Sequence, residues 1–276
     1  MHKGALIRRI IMLKTEMRNP KTTHIDKMSP LEIARVMNEE NANCVRAVEA
    51  ELPQIAKAID AIAESLQTGG RLFYVGAGTS GRLGIVDAAE CPPTFGISAD
   101  TVIGLMAGGL PAVVNASENR EDDPEASVAE LKAYNLNKND VVVGISAAGG
   151  AAYVCNAVSY AKSLGCTTVG ITSNKGSRLD ALADIPICPD TGPEVITGST
   201  RLKAGTAQKL VLNMLSTGAM IRSGYVYENL MINLKPTNAK LTKRVIGIVS
   251  EITGEPMDAA EARLERNNWV IKEAIR

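Results

Sequence analysis

Aromatic residues make up only 3% of this 276-residue chain, and histidine occurs twice, at His2 and His24. So few rings leave no set of base-stacking platforms, and thirty basic residues balanced by thirty acidic ones leave no basic footprint; nucleic acid is not an expected partner. Two isolated histidines without clustered ligand spacing do not supply a zinc or iron site, so no metal is expected. Cysteine is scarce as well: Cys44, Cys91, Cys155, Cys166 and Cys188 are an odd, scattered set without a C-x-x-C pair. That usage suits reduced thiols in a cytoplasmic protein better than a disulfide framework. No stretch approaches 18 uninterrupted apolar residues, so no membrane span is expected. The start, MHKGALIRRIIMLKTEMRNP, is broken by Arg8, Arg9 and Lys14 and has no small-residue cleavage site, and it reads as no signal peptide.

What is present is a change of period. Over residues 30–67, Leu31, Ile33, Val36 and Met37, then Val45, Val48, Leu52, Ile55, Ile59 and Ile62, recur at helical spacing, with Pro53 opening a second helix. From Arg71 the pattern becomes short apolar runs ending in Gly, Ser or Thr: RLFYVGAGTSG, TVIGLMAGG, DVVVGISAAGG, CTTVGITSN and ADIPICPD, most of them followed by a helical stretch. This alternation predicts an α/β fold, a doubly wound, mostly parallel sheet with helices on both faces. A helix is expected over about 199–222, and two or three more from about Asn238, with Gly254 and Pro256 marking a break. The expected organisation is an N-terminal helical segment over 1–60, an α/β domain over 61–224 and a small helical region over 225–276.

Five segments can carry chemistry. Gly76-Ala77-Gly78-Thr79-Ser80-Gly81 follows the first strand; glycines let the backbone approach a ligand, and the next helix offers unpaired amides to an anion. The match to G-x-G-x-x-G also raises a dinucleotide fold, but the second strand, TVIGLMAGG, lacks the acidic residue that would bind a ribose. Glu90 precedes Cys91-Pro92-Pro93, where the helix is expected to end, and is either an exposed helix-end carboxylate or a general acid. The run from Glu118 to Glu125, which contains Glu121, is either a solvated loop capping the next helix or a catalytic one. GISAAGGAAYV is a second strand-to-glycine turn, with Ser146 and Gly149. TGPEVITGSTRLKAGTAQK holds Glu194, places Ser199 and Thr200 as expected helix N-caps, and sets Lys203 behind them.

Taken together, VGAGTSGRLGIVDAAECPPTFG, TGSTRLKAGTAQKLVLNMLSTG and ENLMINLKPTNAKL closely resemble the N-acetylmuramic acid 6-phosphate etherases, from about TEMRNPKTTHID to the C-terminal helices. The resemblance implies a sugar isomerase (SIS) fold of flavodoxin-like type, related to glucokinase regulatory protein. It implies a lyase that removes D-lactate from a phosphosugar without a cofactor, and a homodimer sharing site residues across its interface. It places the proton donor on Glu90 and the second catalytic carboxylate on Glu121. Gly78, Thr79, Ser80, Ser146, Gly149, Glu194, Ser199 and Lys203 are then the expected substrate-binding residues. An aldose–ketose isomerase on the same fold would use Glu194 as its base.

The sequence departs from the family at the second loop. Where the resemblance leads one to expect A-S-G-R-T-P, the chain has Ala147-Ala148-Gly149-Gly150-Ala151-Ala152. If each missing hydroxyl made a charge-assisted bond to phosphate, losing two costs on the order of 3 kcal/mol, roughly a hundredfold in affinity. The alternatives are a paralogue for a different sugar or a non-catalytic sugar-phosphate sensor; intact motifs around Glu90 and Glu121 argue for the enzyme. The terminal helical bundle also reads as short.

Overall fold

A computed structural model describes residues 13–115, 120–234, 236 and 238–276. Two helices lead into the sheet. α1 (Pro30–Glu49) is opened by a capping box in which the Ser29 side chain accepts from the Glu32 amide and Glu32 reaches back; α2 (Leu52–Gln67) has Pro53 in its first turn, where a missing N–H costs nothing. The chain then runs β1 (Leu72–Gly76), α3 (Gly78–Phe95), β2 (Val102–Met106), α4 (Pro111–Val114), α5 (Ala126–Ala133), β3 (Val141–Ile145), α6 (Ala152–Ser163), β4 (Thr167–Ile171), α7 (Arg178–Leu182), β5 (Ile185–Ile187) and α8 (Lys203–Arg222). A two-stranded hairpin, β6 (Val226–Tyr227) and β7 (Leu230–Met231), precedes α9 (Ala239–Thr253), α10 (Met257–Arg266) and α11 (Ile271–Ala274). The boundary expected between residues 60 and 61 falls inside α2.

All five central strands are parallel, in the order β2-β1-β3-β4-β5. Successive side chains of β1 face opposite layers: Leu72 and Tyr74 pack with α2, α3 and α8, whereas Phe73 and Val75 pack with α5 and α6. Both faces are covered, as the near-continuous apolar strands require. The strand order differs from the dinucleotide-binding 3-2-1-4-5-6 arrangement, and it puts the direction switch between β1 and β3, where ligands of open α/β sheets bind. At that switch α3 lies tight on β1, because a Cβ on Gly81 would stand 2.8 Å from the Gly76 carbonyl oxygen. The C-terminal helices have their own core, built from Val245, Val249, Ala260, Leu264 and Ile271.

Two expected boundaries are corrected. α3 does not stop before Cys91; it passes through Pro92 and Pro93 and ends on Gly96, whose φ of 63° gives a left-handed cap with its amide on the Pro92 carbonyl. The prolines sit in the last turn, so little helix remains downstream for them to disrupt. α8 begins at Lys203 rather than near 199, and neither Ser199 nor Thr200 is its N-cap; Leu202 is, without a side-chain bond. A carboxylate from outside the helix takes over that capping.

Candidate active site

The loops leaving β1 and β3 at the switch point enclose a cleft of about 210 Å³, lined among others by Gly78, Thr79, Ser80, Glu121, Ser146, Ala148, Ala151 and Thr200. Two helix N-termini converge on it, those of α3 and α6, and neither N-cap residue, Ala77 or Ala151, blocks the first-turn amides with a side chain. Free amides and the positive ends of two helices suit an anion. Ser80 is buried at the rim and its hydroxyl meets Gln208 Oε1 at 3.0 Å. Ser146 Oγ accepts the Gly149 amide at 3.1 Å, leaving its own O–H available to donate.

Gly149 does not line the cleft but shapes it. Its φ is 74°, and a Cβ there would collide with Ser177 Oγ and Thr172 Oγ1, so the turn after β3 requires glycine. At Gly150, by contrast, a Cβ meets nothing within 4 Å. Ala148 and Ala151 face the cleft, so the methyl groups stand where the family pattern has hydroxyls.

Glu121 is brought in by the N-terminus of α6: its carbonyl accepts the Tyr153 amide at 3.0 Å. The downstream carboxylate Asp123 accepts the Glu125 and Ala126 amides and so caps α5, while Glu118 and Asn119 lie outside the described residues. The capping reading of the acidic run thus falls on Asp123, while Glu121 is the residue of the run that lines the cleft.

Glu90 is not in this cleft. It is exposed on α3, twelve residues from Gly78 and hence about 18 Å along the axis. It shares an outward stripe with Arg82 and Val86, four residues apart. Arg82 binds the carbonyls of Ala112 and Val113 at 2.8 Å, which sets the exposed Leu110 and Val114 of the α4 segment beside that stripe.

Glu194, Ser199 and Lys203 are likewise not brought to the cleft. The Glu194 carboxylate, fully buried, accepts the Lys203 and Ala204 amides at 3.0 and 2.9 Å, capping α8 in place of a local side chain. A carboxylate fully buried at the start of α8 and absent from the cleft lining is not presented to a substrate, which removes the base of the isomerase alternative. Lys203, 1% exposed, donates to Glu40 Oε2 at 2.7 Å, and Lys21 and Asn19 complete the Glu40 shell. Burial alone would raise the Glu40 carboxyl, but the hydrogen bonds from Lys203, Lys21 and Asn19 outweigh it and hold it at about 2, against an ordinary 4.5. A depressed carboxyl stabilises the fold above its unfolded value and loses that contribution as pH falls from about 4.5 towards 2. Lys203→Met removes a charged hydrogen bond from Glu40 but leaves Lys21 and Asn19 on it, and should lower stability by about 1.5–3 kcal/mol in chemical denaturation; the double variant Lys203→Met/Glu40→Leu should recover most of it.

Sequence reasoning missed Glu16. This residue also lines the cleft, carried there by a 3-10 turn (Lys14–Glu16) that bonds through Lys14 to Asn174 and Asp190, in the loops after β4 and β5. A larger groove of about 650 Å³ lies beyond β5, near Lys14, Arg46 and Asp190, and contains none of the expected site residues. Among the described residues no three His, Cys, Asp or Glu side chains group as a metal site, and no helix is long and apolar enough to cross a membrane.

Comparison with known proteins agrees with this geometry. The model of the glucokinase regulatory protein N-terminal SIS domain matches residues 54–162, and that of the SIS domain matches 124–218. Among solved structures, phosphoheptose isomerases from Francisella tularensis and Neisseria gonorrhoeae superpose with TM-scores of 0.54 and 0.53 at 18% identity. They cover 70% and 68% of this chain and 100% and 96% of their own, a likeness of fold. N-acetylmuramic acid 6-phosphate etherases from Clostridium beijerinckii and Pasteurella multocida are 52% and 54% identical over 263 residues, 95% of this chain and 86% and 87% of theirs. Identity of that extent, on an SIS fold whose loops converge at the sheet's switch point, means that the chain belongs to the N-acetylmuramic acid 6-phosphate etherase family.

Proposed function

We propose that this protein cleaves the D-lactyl ether of N-acetylmuramic acid 6-phosphate, giving N-acetylglucosamine 6-phosphate and D-lactate by elimination followed by hydration. The observation that carries the reading is the convergence of both glycine turns and Glu121 on one cleft. The 6-phosphate rests on the α3 amides and the hydroxyls of Thr79 and Ser146. In the open-chain sugar the aldehyde acidifies the proton at carbon 2, and the Glu121 carboxylate removes it. The electron pair forms the carbon 2–carbon 3 double bond as the carbon 3–oxygen bond breaks, and a carboxylic acid protonates the departing lactate oxygen. Water then adds at carbon 3, giving its proton to the second carboxylate, while Glu121 returns a proton to carbon 2.

That second group is Glu90 of the partner subunit. About 18 Å of helix separates Glu90 from the cleft of its own chain, and the exposed Val86, one turn before it, with Leu110 and Val114 of the segment held by Arg82, forms an apolar surface suited to a second copy. The protein therefore acts as a homodimer whose sites combine Glu121 of one subunit with Glu90 of the other. Chains carrying Glu90→Ala and Glu121→Gln, each inactive alone, should regain roughly a quarter of native D-lactate release when co-expressed, because half of the dimers then hold one intact site. No recovery, with mixed dimers demonstrated, would rule out the shared site.

A further inference from the structure

The cleft holds two carboxylates from one chain, Glu121 and Glu16, and only the first has a role in the chemistry above. The turn that carries Glu16 is firmly held. Thr15, 1% exposed, accepts Asn174 Nδ2 at 3.1 Å through its hydroxyl, and its carbonyl accepts the Gly198 amide at 3.2 Å. Asn174 Oδ1 accepts the Lys14 amide at 2.8 Å, and Nδ2 also binds the Ala147 carbonyl at 2.9 Å. One buried asparagine thus ties the Lys14–Glu16 turn to the loop after β3. The Glu16 carboxylate rests against Gly198, with Oε2 3.2 Å from where a Cβ would stand, so a side chain at 198 would crowd it. Among the described residues it has no ion pair and no side-chain hydrogen bond.

A carboxylate held beside an anion site repels the anion, and a compensating contact must come from the rest of the ligand. Sugar hydroxyls and the acetamido N–H are the donors that such a ligand brings. We infer that Glu16 is a substrate-contacting, specificity-determining residue that accepts hydrogen bonds from the sugar portion of the phosphosugar, so that the cleft selects a sugar phosphate over free phosphate. This rests on the proposed function for the identity of the sugar, but not for the sign of the effect.

The test is calorimetric binding of N-acetylglucosamine 6-phosphate and of inorganic phosphate to the native chain and to Glu16→Ala, with D-lactate release followed in parallel. In the variant the sugar phosphate should bind about 10- to 100-fold more weakly, through loss of charged hydrogen bonds, while inorganic phosphate should bind severalfold more tightly, through removal of a like charge. The opposite signs are the signature. Equal weakening of both ligands would mark Glu16 as a structural support of the cleft, and no change in either would place it outside ligand contact; both outcomes overturn the inference. Absence of D-lactate release from the native chain would instead count against the proposed reaction, leaving the binding comparison intact.

Discussion

Glu121→Gln should lower kcat for D-lactate release by roughly 10²- to 10⁴-fold, the range for loss of a positioned general base. KM should change little, because the phosphate is held by other groups, namely the α3 amides and the hydroxyls of Thr79 and Ser146. Glutamine fills the same volume and keeps the backbone bond from the Tyr153 amide to residue 121, since that bond uses the main-chain carbonyl. The side chain is exposed, so stability should stay within about 0.5 kcal/mol of native. Steady-state kinetics beside a thermal melt would check this. A rise in KM with kcat preserved would make Glu121 a binding residue and remove the base from the reaction.

The second large effect is expected at the altered loop. Ala148→Ser, Gly150→Arg and Ala151→Thr together restore two hydroxyls and a guanidinium, and the structure accepts all three. Residues 148 and 151 already face the cleft, and position 150 is exposed, with open space around a Cβ. Gly149 must be left unchanged, because its left-handed backbone and contact with Ser177 exclude any side chain. Two hydroxyl bonds to a charged ligand are worth about 3 kcal/mol, and a bidentate arginine adds to that, so KM for the phosphosugar should fall at least roughly a hundredfold. Unchanged or weaker binding of the 6-phosphosugar would mean that the loop has been reshaped for another ligand.

The sheet was readable from the sequence because each parallel strand is a short apolar run, and the glycine turns after β1 and β3 sit at the switch point. What local pattern could not give were relations between distant segments. Glu194 looked like a site residue because nothing in TGPEV reveals that its carboxylate reaches the start of α8, nine residues on; that same long-range cap hid the true beginning of the helix. Lys203 read as a substrate-binding cation behind the expected N-caps, yet its partner is Glu40, 163 residues away in the chain. The α3 terminus was misplaced by treating proline as an absolute stop when it lies in a last turn closed by Gly96. Glu16 was invisible because the 3-10 turn that carries it is held by Asn174 and Gly198, both more than 150 residues downstream.

The central claim is that the chain is an etherase working in this cleft, and D-lactate release from N-acetylmuramic acid 6-phosphate by the purified native protein tests it most directly. The account predicts D-lactate and N-acetylglucosamine 6-phosphate in equal amounts, at a rate that rises at low substrate when the loop hydroxyls and arginine are restored. No D-lactate from either the native chain or the Ala148→Ser/Gly150→Arg/Ala151→Thr variant would contradict it.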